Sequence, residues 1–160
     1  MRHIAAKGTE GVADLQDQTF AAATLATAST YPPDRRLSAD QLRSYLGRRS
    51  YAVLGTARLD GRPHAAMSMY VRRDTTFWLP TVAGSVRGRN LRAQPWLTLV
   101  VAEGDQDAHI VVIVEGPTEI VSPDVVPDDV RAAVSGDWVS SWIRLDAEQV
   151  LSYADETAQP

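Results

Sequence analysis

The sequence lacks cysteine altogether and has only three histidines among its 160 residues. Without cysteine there is no disulfide, no thiolate metal site and no thiol nucleophile. The imidazoles of His3, His64 and His109 are too few and too scattered in sequence for a histidine-based metal cluster. We therefore predict no metal site, and the cysteine-dependent enzyme classes are excluded.

Long apolar runs and an excess of positive charge are lacking as well. No apolar stretch approaches the ~18 residues that a membrane-spanning helix requires. Asp14 and Asp17 interrupt any signal-like apolar core near the N-terminus. The formal net charge is −4, whereas nucleic-acid binding usually requires a basic patch spread over one face. We expect a cytoplasmic single-domain protein that binds neither nucleic acid nor a membrane.

The first 36 residues differ in character from the rest of the chain. They are rich in Ala, Thr and Gly, and the apolar spacing within them indicates only a weak helix without clear caps. We expect residues 1–36 to be a partly disordered N-terminal arm. Ser38 and Gln41 then form a capping box, so a helix begins there, and Gly47 is expected to stop it. The predicted domain covers residues 37–155.

Most of that domain has the pattern of β-strands. Asp60 and Gly61 predict a hairpin turn between two strands. Residues 96–102 are apolar at nearly every position, as expected of a strand buried on both faces. Gly116 and Pro117 predict a bend in the longest strand. Predicted strands are residues 51–58, 62–72, 75–79, 96–102 and 109–121, followed in 140–153 by a final pair or one kinked strand. A short helix is expected within 123–134.

This pattern indicates a mainly β protein, with about six antiparallel strands and short helices at the corners. Closing such a sheet into a barrel removes its exposed edges.

One corner, residues 81–92, carries the strongest functional signal. Gly84 breaks the preceding strand, Ser85 can cap a helix, and Arg87 and Arg89 add positive charge to its first turn. The unpaired amides and the dipole of a helix N-terminus attract anions, and an Arg fork gives bidentate bonds to phosphate oxygens. The corner predicts a phosphate clamp, although several arginines so close together are also typical of the solvated face of a connecting helix.

Helical spacing separates these arginines. At ~3.6 residues per turn, Arg89 and Arg92 share a face, while Arg87 lies roughly 160° from Arg89. We therefore predict that Ser85 and Arg87 meet the ligand, that Arg89 and Arg92 point outward, and that Leu91 turns toward the core.

The order of these features resembles the pyridoxamine 5′-phosphate oxidase-like family over residues 37–153. The stretch Gly61-Arg62-Pro63-His64 is similar to the hairpin motif of that family, residues 85–91 to its phosphate corner, and Glu115-Gly116 to its long strand. The resemblance implies a split β-barrel that binds FMN or coenzyme F420. It also implies a homodimer with two cofactors at the interface, each pocket being completed by the second subunit.

Site residues follow from the same resemblance. Four residues of the second strand would face the cofactor ring, namely Ala66, Met67, Ser68 and Met69. The tail and phosphate would be held by Thr81, Val82, Ser85 and Arg87. Because the ring-facing stretch has no charged group and the basic residues lie at the corner, affinity is expected to depend on an anionic tail, which favours F420 over FMN.

The expected function is hydride transfer between the bound cofactor and a small organic substrate. No side chain is expected to act as a catalytic residue, since the cofactor carries the chemistry. The alternative is a non-catalytic carrier or sensor that binds a flavin, a deazaflavin or haem.

Overall fold

The computed structural model describes residues 11–160. Its helices are α1 (Val12–Ala21), α2 (Leu25–Thr30), α3 (Ala39–Arg48), α4 (Val86–Ala93) and α5 (Asp128–Ala132). Its strands are β1 (Tyr51–Ala57), β2 (Pro63–Met69), β3 (Val71–Arg73), β4 (Thr76–Thr81), β5 (Trp96–Glu103), β6 (Ile110–Val121), β7 (Ser141–Asp146) and β8 (Gln149–Ala154). Single 3₁₀ turns occupy Pro33–Arg35 and Pro123–Val125.

The fold is mainly β, as predicted, but with eight strands in residues 11–160 instead of about six. Neighbouring strands follow the order β2-β1-β5-β6-β7-β4-β3, and β8 pairs with β6. All of the pairs are antiparallel. The path ends at β2 and β3, and the sheet curls into a half-barrel, which is consistent with the expected split β-barrel. The last strand segment is a pair, β7 and β8.

The longest strand changes partners where a bend was predicted. One edge of β6 pairs with β8 up to Glu115 and with β7 from Thr118 onward. At Gly116, between these two partners, a Cβ atom would overlap the carbonyl oxygen of Asp146. Glycine is therefore required where the β7–β8 connection approaches the strand.

The stretch predicted as one strand over residues 62–72 is divided in the structure. Tyr70 lies between β2 and β3, its side chain is buried, and its hydroxyl donates to the Leu46 carbonyl at 2.8 Å. As a result β2 pairs with β1, whereas β3 pairs with β4. A buried aromatic side chain with a distant partner has no local sequence signature, so the break was missed.

The helix predicted after Leu37 is confirmed as α3. Ser38 accepts the Gln41 amide at 3.3 Å, and the Gln41 side chain accepts the Ser38 amide at 2.8 Å. The helix runs one residue past Gly47, to Arg48. Tyr45, fully buried on its inner face, donates its hydroxyl to the Val101 carbonyl at 3.3 Å, and burial raises the pKa of this phenol to about 12.

Residues 11–36 differ from the expected arm. Val12 and Leu15 of α1 are buried in the main core against β8. Gln16, also buried, donates to the Leu37 carbonyl at 2.8 Å and contacts the hydroxyl of Ser152. The cap was not recognised because Gly11 has no capping side chain, and Asp14 instead accepts the Gly11 amide at 3.0 Å. The partial disorder expected for residues 1–10 lies outside the described residues.

The prediction that residues 96–102 are buried on both faces is wrong within this chain. Leu97, Leu99 and Val101 of β5 are fully buried, but Trp96 on the other face is 43% exposed and Val100 only half-buried. The outer face is mostly apolar, apart from Thr98, which donates to Glu115, and no other part of residues 11–160 covers it fully.

Two features are absent from the described residues. None of the helices in 11–160 combines the length and apolarity needed to cross a membrane. Over the same range, no group of three or more His, Asp or Glu side chains could hold a metal ion.

Candidate functional site

The corner between β4 and α4 is built by a short run of local signals. After Thr81, the last residue of β4, Gly84 adopts a positive φ of 77° that a residue with a side chain rarely takes. Ser85 then caps α4 by accepting the Gly88 amide at 3.2 Å. The hydroxyls of Ser85 and Thr81 are 3.1 Å apart. The predicted helix start is confirmed, and beside the helix N-terminus the corner has the half-buried hydroxyl of Ser85 over the buried hydroxyl of Thr81.

The faces of α4 follow the predicted spacing. Leu91 is 2% exposed and belongs to the main core. Arg89 and Arg92 are exposed, whereas Arg87 is half-buried. The arginines therefore divide between solvent and the protein surface as expected, and Arg87 alone turns toward the corner.

The guanidinium of Arg87 crosses the junction between β2 and β4, two strands that approach each other without pairing. Its Nε donates to Thr81 Oγ1 at 3.0 Å and its Nη1 to the Met67 carbonyl at 3.1 Å. Its Nη2 donates to the Pro80 carbonyl at 3.4 Å. We call this junction the seam. Arg87 thus fastens the edge strand β2 to the corner, a role that the sequence did not reveal.

These bonds also fix the direction of the positive charge. Burial lowers the pKa of the Arg87 guanidinium, but an arginine remains charged at neutral pH. Three of its five N–H groups are engaged within the protein, which leaves two for an anion. Three hydrogen bonds already fix the Arg87 side chain. It therefore loses little conformational entropy when it binds a phosphate.

The four residues predicted to face a cofactor ring do not share one face of β2. Side chains alternate along a strand. Ser68 is buried and Ala66 half-buried on the inner face, while Met67 is 61% exposed on the outer face with the half-buried Met69. The structure nevertheless brings β2 next to the corner, because the Met67 carbonyl is bonded to Arg87. Val82, the remaining predicted residue, is 48% exposed.

A buried polar network beneath the corner was not anticipated. Asn90 on α4 donates from Nδ2 to Thr56 Oγ1 on β1 at 3.0 Å, and that hydroxyl lies 3.4 Å from His64 Nδ1 on β2. Thr56 and Asn90 are both almost fully buried. The network fixes α4 against the sheet. Its only sequence signal was the position of Asn90 directly before the core residue Leu91.

A second segment lies against the corner from the far end of the chain. The amide of Ser140 donates to the Thr81 carbonyl at 3.2 Å, and its hydroxyl accepts the Ala83 amide at 2.9 Å. Trp138, two residues earlier, is 44% exposed, whereas Trp142 is buried in a smaller core cluster. The corner therefore has an aromatic residue in its neighbouring loop.

Comparison with known proteins gives one family match. A family model described as pyridoxamine 5′-phosphate oxidase matches residues 38–156. None of the curated proteins compared with the chain matches its sequence.

Several solved structures have a similar fold. A conserved hypothetical protein, Rv2991 from Mycobacterium tuberculosis, is 24% identical with a TM-score of 0.66, over 78% of this chain and 89% of that one. The FAD binding protein from Mycobacterium smegmatis is 19% identical with a TM-score of 0.61, over 75% and 98%. HutZ, the haem storage protein from Vibrio cholerae, is 14% identical with a TM-score of 0.58, over 72% and 94%. At these identities the likeness extends to the fold alone.

Proposed function

Because the chain belongs to the pyridoxamine 5′-phosphate oxidase-like family, we propose that it is an oxidoreductase that binds FMN or coenzyme F420 at the corner. Thr81, Val82, Ser85 and Arg87 hold the phosphate, and the ring lies along the outer face of β2, which carries Met67 and Met69. The observation that supports this most directly is the guanidinium of Arg87, which is half-buried beside the capped start of α4 and keeps two N–H groups for an anion.

The residues present fit a phosphate-bearing cofactor in their chemistry. Phosphate oxygens accept hydrogen bonds from a fixed guanidinium and from a hydroxyl, and the Thr81–Ser85 pair, in which one hydroxyl donates to the other, leaves one hydroxyl proton for a ligand. When bound, a flavin or deazaflavin supplies the hydride chemistry. The protein has to hold the phosphate, orient the ring along β2 and keep water away from it, and no side chain is required to act as a nucleophile.

A homodimer is part of this proposal. One transverse row of outer-face residues crosses five strands in register, Met67–Val53–Val100–Ile113–Leu151. Met67 is 61% and Val53 40% exposed, and the other three are half-buried. Contiguous apolar surface of this kind is characteristic of protein interfaces. We propose that a second copy covers this row and provides the second wall of the cofactor pocket.

The choice of cofactor rests on the distribution of charge. Residues 66–69 contain no charged group, while the cation at Arg87 faces the corner. Ring contacts on β2 are therefore apolar or made by the backbone, and the anionic tail contributes most of the polar affinity. This favours F420, although structural neighbours described as FAD-binding make a flavin the direct competitor.

The alternative is a non-catalytic carrier, including a haem carrier, as the haem storage protein among the structural neighbours suggests. A haem iron would need an axial ligand. In the described residues His64 Nδ1 lies 3.4 Å from Thr56 Oγ1, and His109 Nδ1 lies 2.6 Å from Asp155 Oδ2. Each of these histidines keeps Nε2 open while Nδ1 is engaged, which is how metal-ligating histidines are usually held, so a Soret band decides this alternative.

An absorbance spectrum of the purified protein tests the proposal first. We expect a flavin or deazaflavin spectrum, or binding of one of them to the ligand-free protein in fluorescence titrations. Submicromolar binding of FMN together with undetectable binding of F420 would reverse the preference between them. A Soret band would favour the haem carrier, and a bound cofactor that no reductant or acceptor turns over would favour a carrier of that cofactor.

A further inference from the structure

A groove of about 320 Å³ lies on the other side of α4, between that helix and the β1–β2 loop. Three arginines and one aspartate line it, namely Arg58, Arg62, Arg89 and Asp60. We propose that this groove is a second anion-binding site, separate from the Arg87 corner, for an organic molecule with at least two negative charges.

The charge of the groove is not balanced within the protein. Arg62 is paired with Asp60 at 2.8 Å. In residues 11–160, neither Arg58 nor Arg89 has a carboxylate within ion-pair distance. The chain as a whole has a net charge of −4, so a cavity with two unpaired cations is a local exception. Their mutual repulsion is relieved when an anion lies between them.

The loop that carries Arg58 and Arg62 is held in place without a ligand. The Arg58 amide donates to the Arg62 carbonyl at 2.9 Å, and the Gly61 amide donates to the Arg58 carbonyl at 2.9 Å. The side-chain amide of Gln94 donates to the same Arg58 carbonyl at 3.2 Å, which ties the loop to the C-terminal end of α4. Both walls of the groove are therefore positioned in advance, which lowers the entropic cost of binding.

The groove and the corner use different faces of α4. Arg89 lies roughly 160° around the helix from Arg87. The guanidinium of Arg87 reaches Thr81 and the Met67 carbonyl, neither of which lines the groove. A single phosphate at the corner therefore cannot also satisfy Arg89, and the groove requires an anion of its own.

Apolar side chains beside the arginines indicate an organic ligand. Leu59 is 84% and Val86 36% exposed, and both line the groove. The guanidinium of an arginine donates hydrogen bonds to a diphosphate or to neighbouring carboxylates equally well. Leu59 and Val86 can pack against a ring or an alkyl chain of the ligand. The ligand is thus an organic diphosphate or a polycarboxylate.

Calorimetric titration of cofactor-free protein tests the site. The probes are ADP, adenosine as its uncharged counterpart, and triglutamate as the polycarboxylate. We expect at least one of the two anions to bind and adenosine not to bind, and the stronger anion identifies the ligand class. Arg58→Gln and Arg89→Gln should each weaken that binding about fivefold, since an exposed ion pair contributes up to about 1 kcal/mol. The matched control is Arg92→Gln, an exposed arginine of the same helix that does not line the groove, and it should have little effect.

Three results would overturn the proposal. The first is the absence of binding of either anion at millimolar concentration. The second is an equal loss in the Arg92 variant, which would mean a general electrostatic effect. The third is a loss confined to Arg87→Gln, which would place the anion at the corner. Amide shifts in nuclear magnetic resonance spectra of the unaltered protein give a check that needs no variant. They should change at residues 58–62 and 86–90, and changes elsewhere would contradict the site.

Discussion

Replacing Arg87 by alanine should weaken binding of FMN or F420 about 10- to 100-fold. Two N–H groups of its guanidinium remain after the bonds to Thr81, Met67 and Pro80, and they are the donors available to a phosphate. A hydrogen bond to a charged group contributes roughly 1.5–3 kcal/mol, and each 1.4 kcal/mol corresponds to about tenfold in Kd. Partial burial of the guanidinium keeps its interaction with the phosphate from being screened as fully as at the open surface.

The same substitution also removes the hydrogen bonds that hold β2 to β4 and the corner at the seam. The carbonyls of Met67 and Pro80 and the hydroxyl of Thr81 lose their donor. Water can replace the bond to the carbonyl of the exposed Met67, whereas Thr81 is buried, so we expect a loss of stability of about 1–3 kcal/mol. Thermal unfolding of the cofactor-free variant measures this loss separately from the loss of affinity.

Two variants serve as controls for the titration. Arg89→Ala removes the same charge from the opposite, exposed face of α4 and should change the Kd for FMN by less than about twofold. Arg87→Lys keeps the charge but loses the fork that bonds the phosphate and the seam together, so its affinity should fall between wild type and Arg87→Ala. Fluorescence titration of each protein with FMN and with F420 provides the measurement. Equal losses in the Arg87→Ala and Arg89→Ala variants would refute the assignment of the phosphate to the corner.

Three further substitutions test the proposed interface and the fold. Val53→Asp, within the outer apolar row, should convert the proposed dimer into a monomer of 17.4 kDa by light scattering, and a wild-type monomer that binds cofactor stoichiometrically would contradict the shared pocket. Gly116→Ala should destabilise the protein by about 1–3 kcal/mol because its Cβ would overlap a carbonyl of β7, whereas Gly47→Ala, in open space on α3, should stabilise by about 0.5–1 kcal/mol. Denaturant unfolding compares the two glycine variants, and similar effects would count against the close approach at β6. The hydrogen bond from Arg48 lowers the pKa of Glu103, so this carboxylate stabilises the fold above its ordinary pKa and loses that contribution as pH falls through the lower folded value. Glu103→Gln should therefore cost up to about 1 kcal/mol at pH 7, and the difference from wild type should shrink in acid; a difference independent of pH would contradict the ion pair.

The sequence alone determined the features that depend on neighbours a few residues away. The capping box of α3 and the cap of α4 were readable because Ser38 and Ser85 bond amides three residues later. The turn of Leu91 into the core, with Arg89 outward, followed from helical periodicity. Gly116 marked a special position in β6, and the structure shows why, because a close backbone approach there leaves no room for another residue. Each of these signals depends on residues close together in the sequence, so they could be recognised without the structure.

Only the tertiary structure decided what Arg87 touches. Its acceptors include the backbone carbonyls of Met67 and Pro80, and a carbonyl has no signature in the sequence because every residue has one. Burial of α1 was missed for a similar reason, since its cap is formed by the backbone of Gly11 and the carboxylate of Asp14.

The outer face of the sheet shows the same division. The apolar sequence of β5 indicated a strand buried on both faces, but the structure showed that residues 11–160 cover only one side of it. A hydrophobic pattern indicates that a surface is buried from water, but it does not indicate which element or subunit covers it. The reason is that the hydrophobic effect is not directional. The groove between Arg58 and Arg89, 31 positions apart in the numbering, depended in the same way on strand register and on the packing of α4, which bring distant charges together only when the chain is folded.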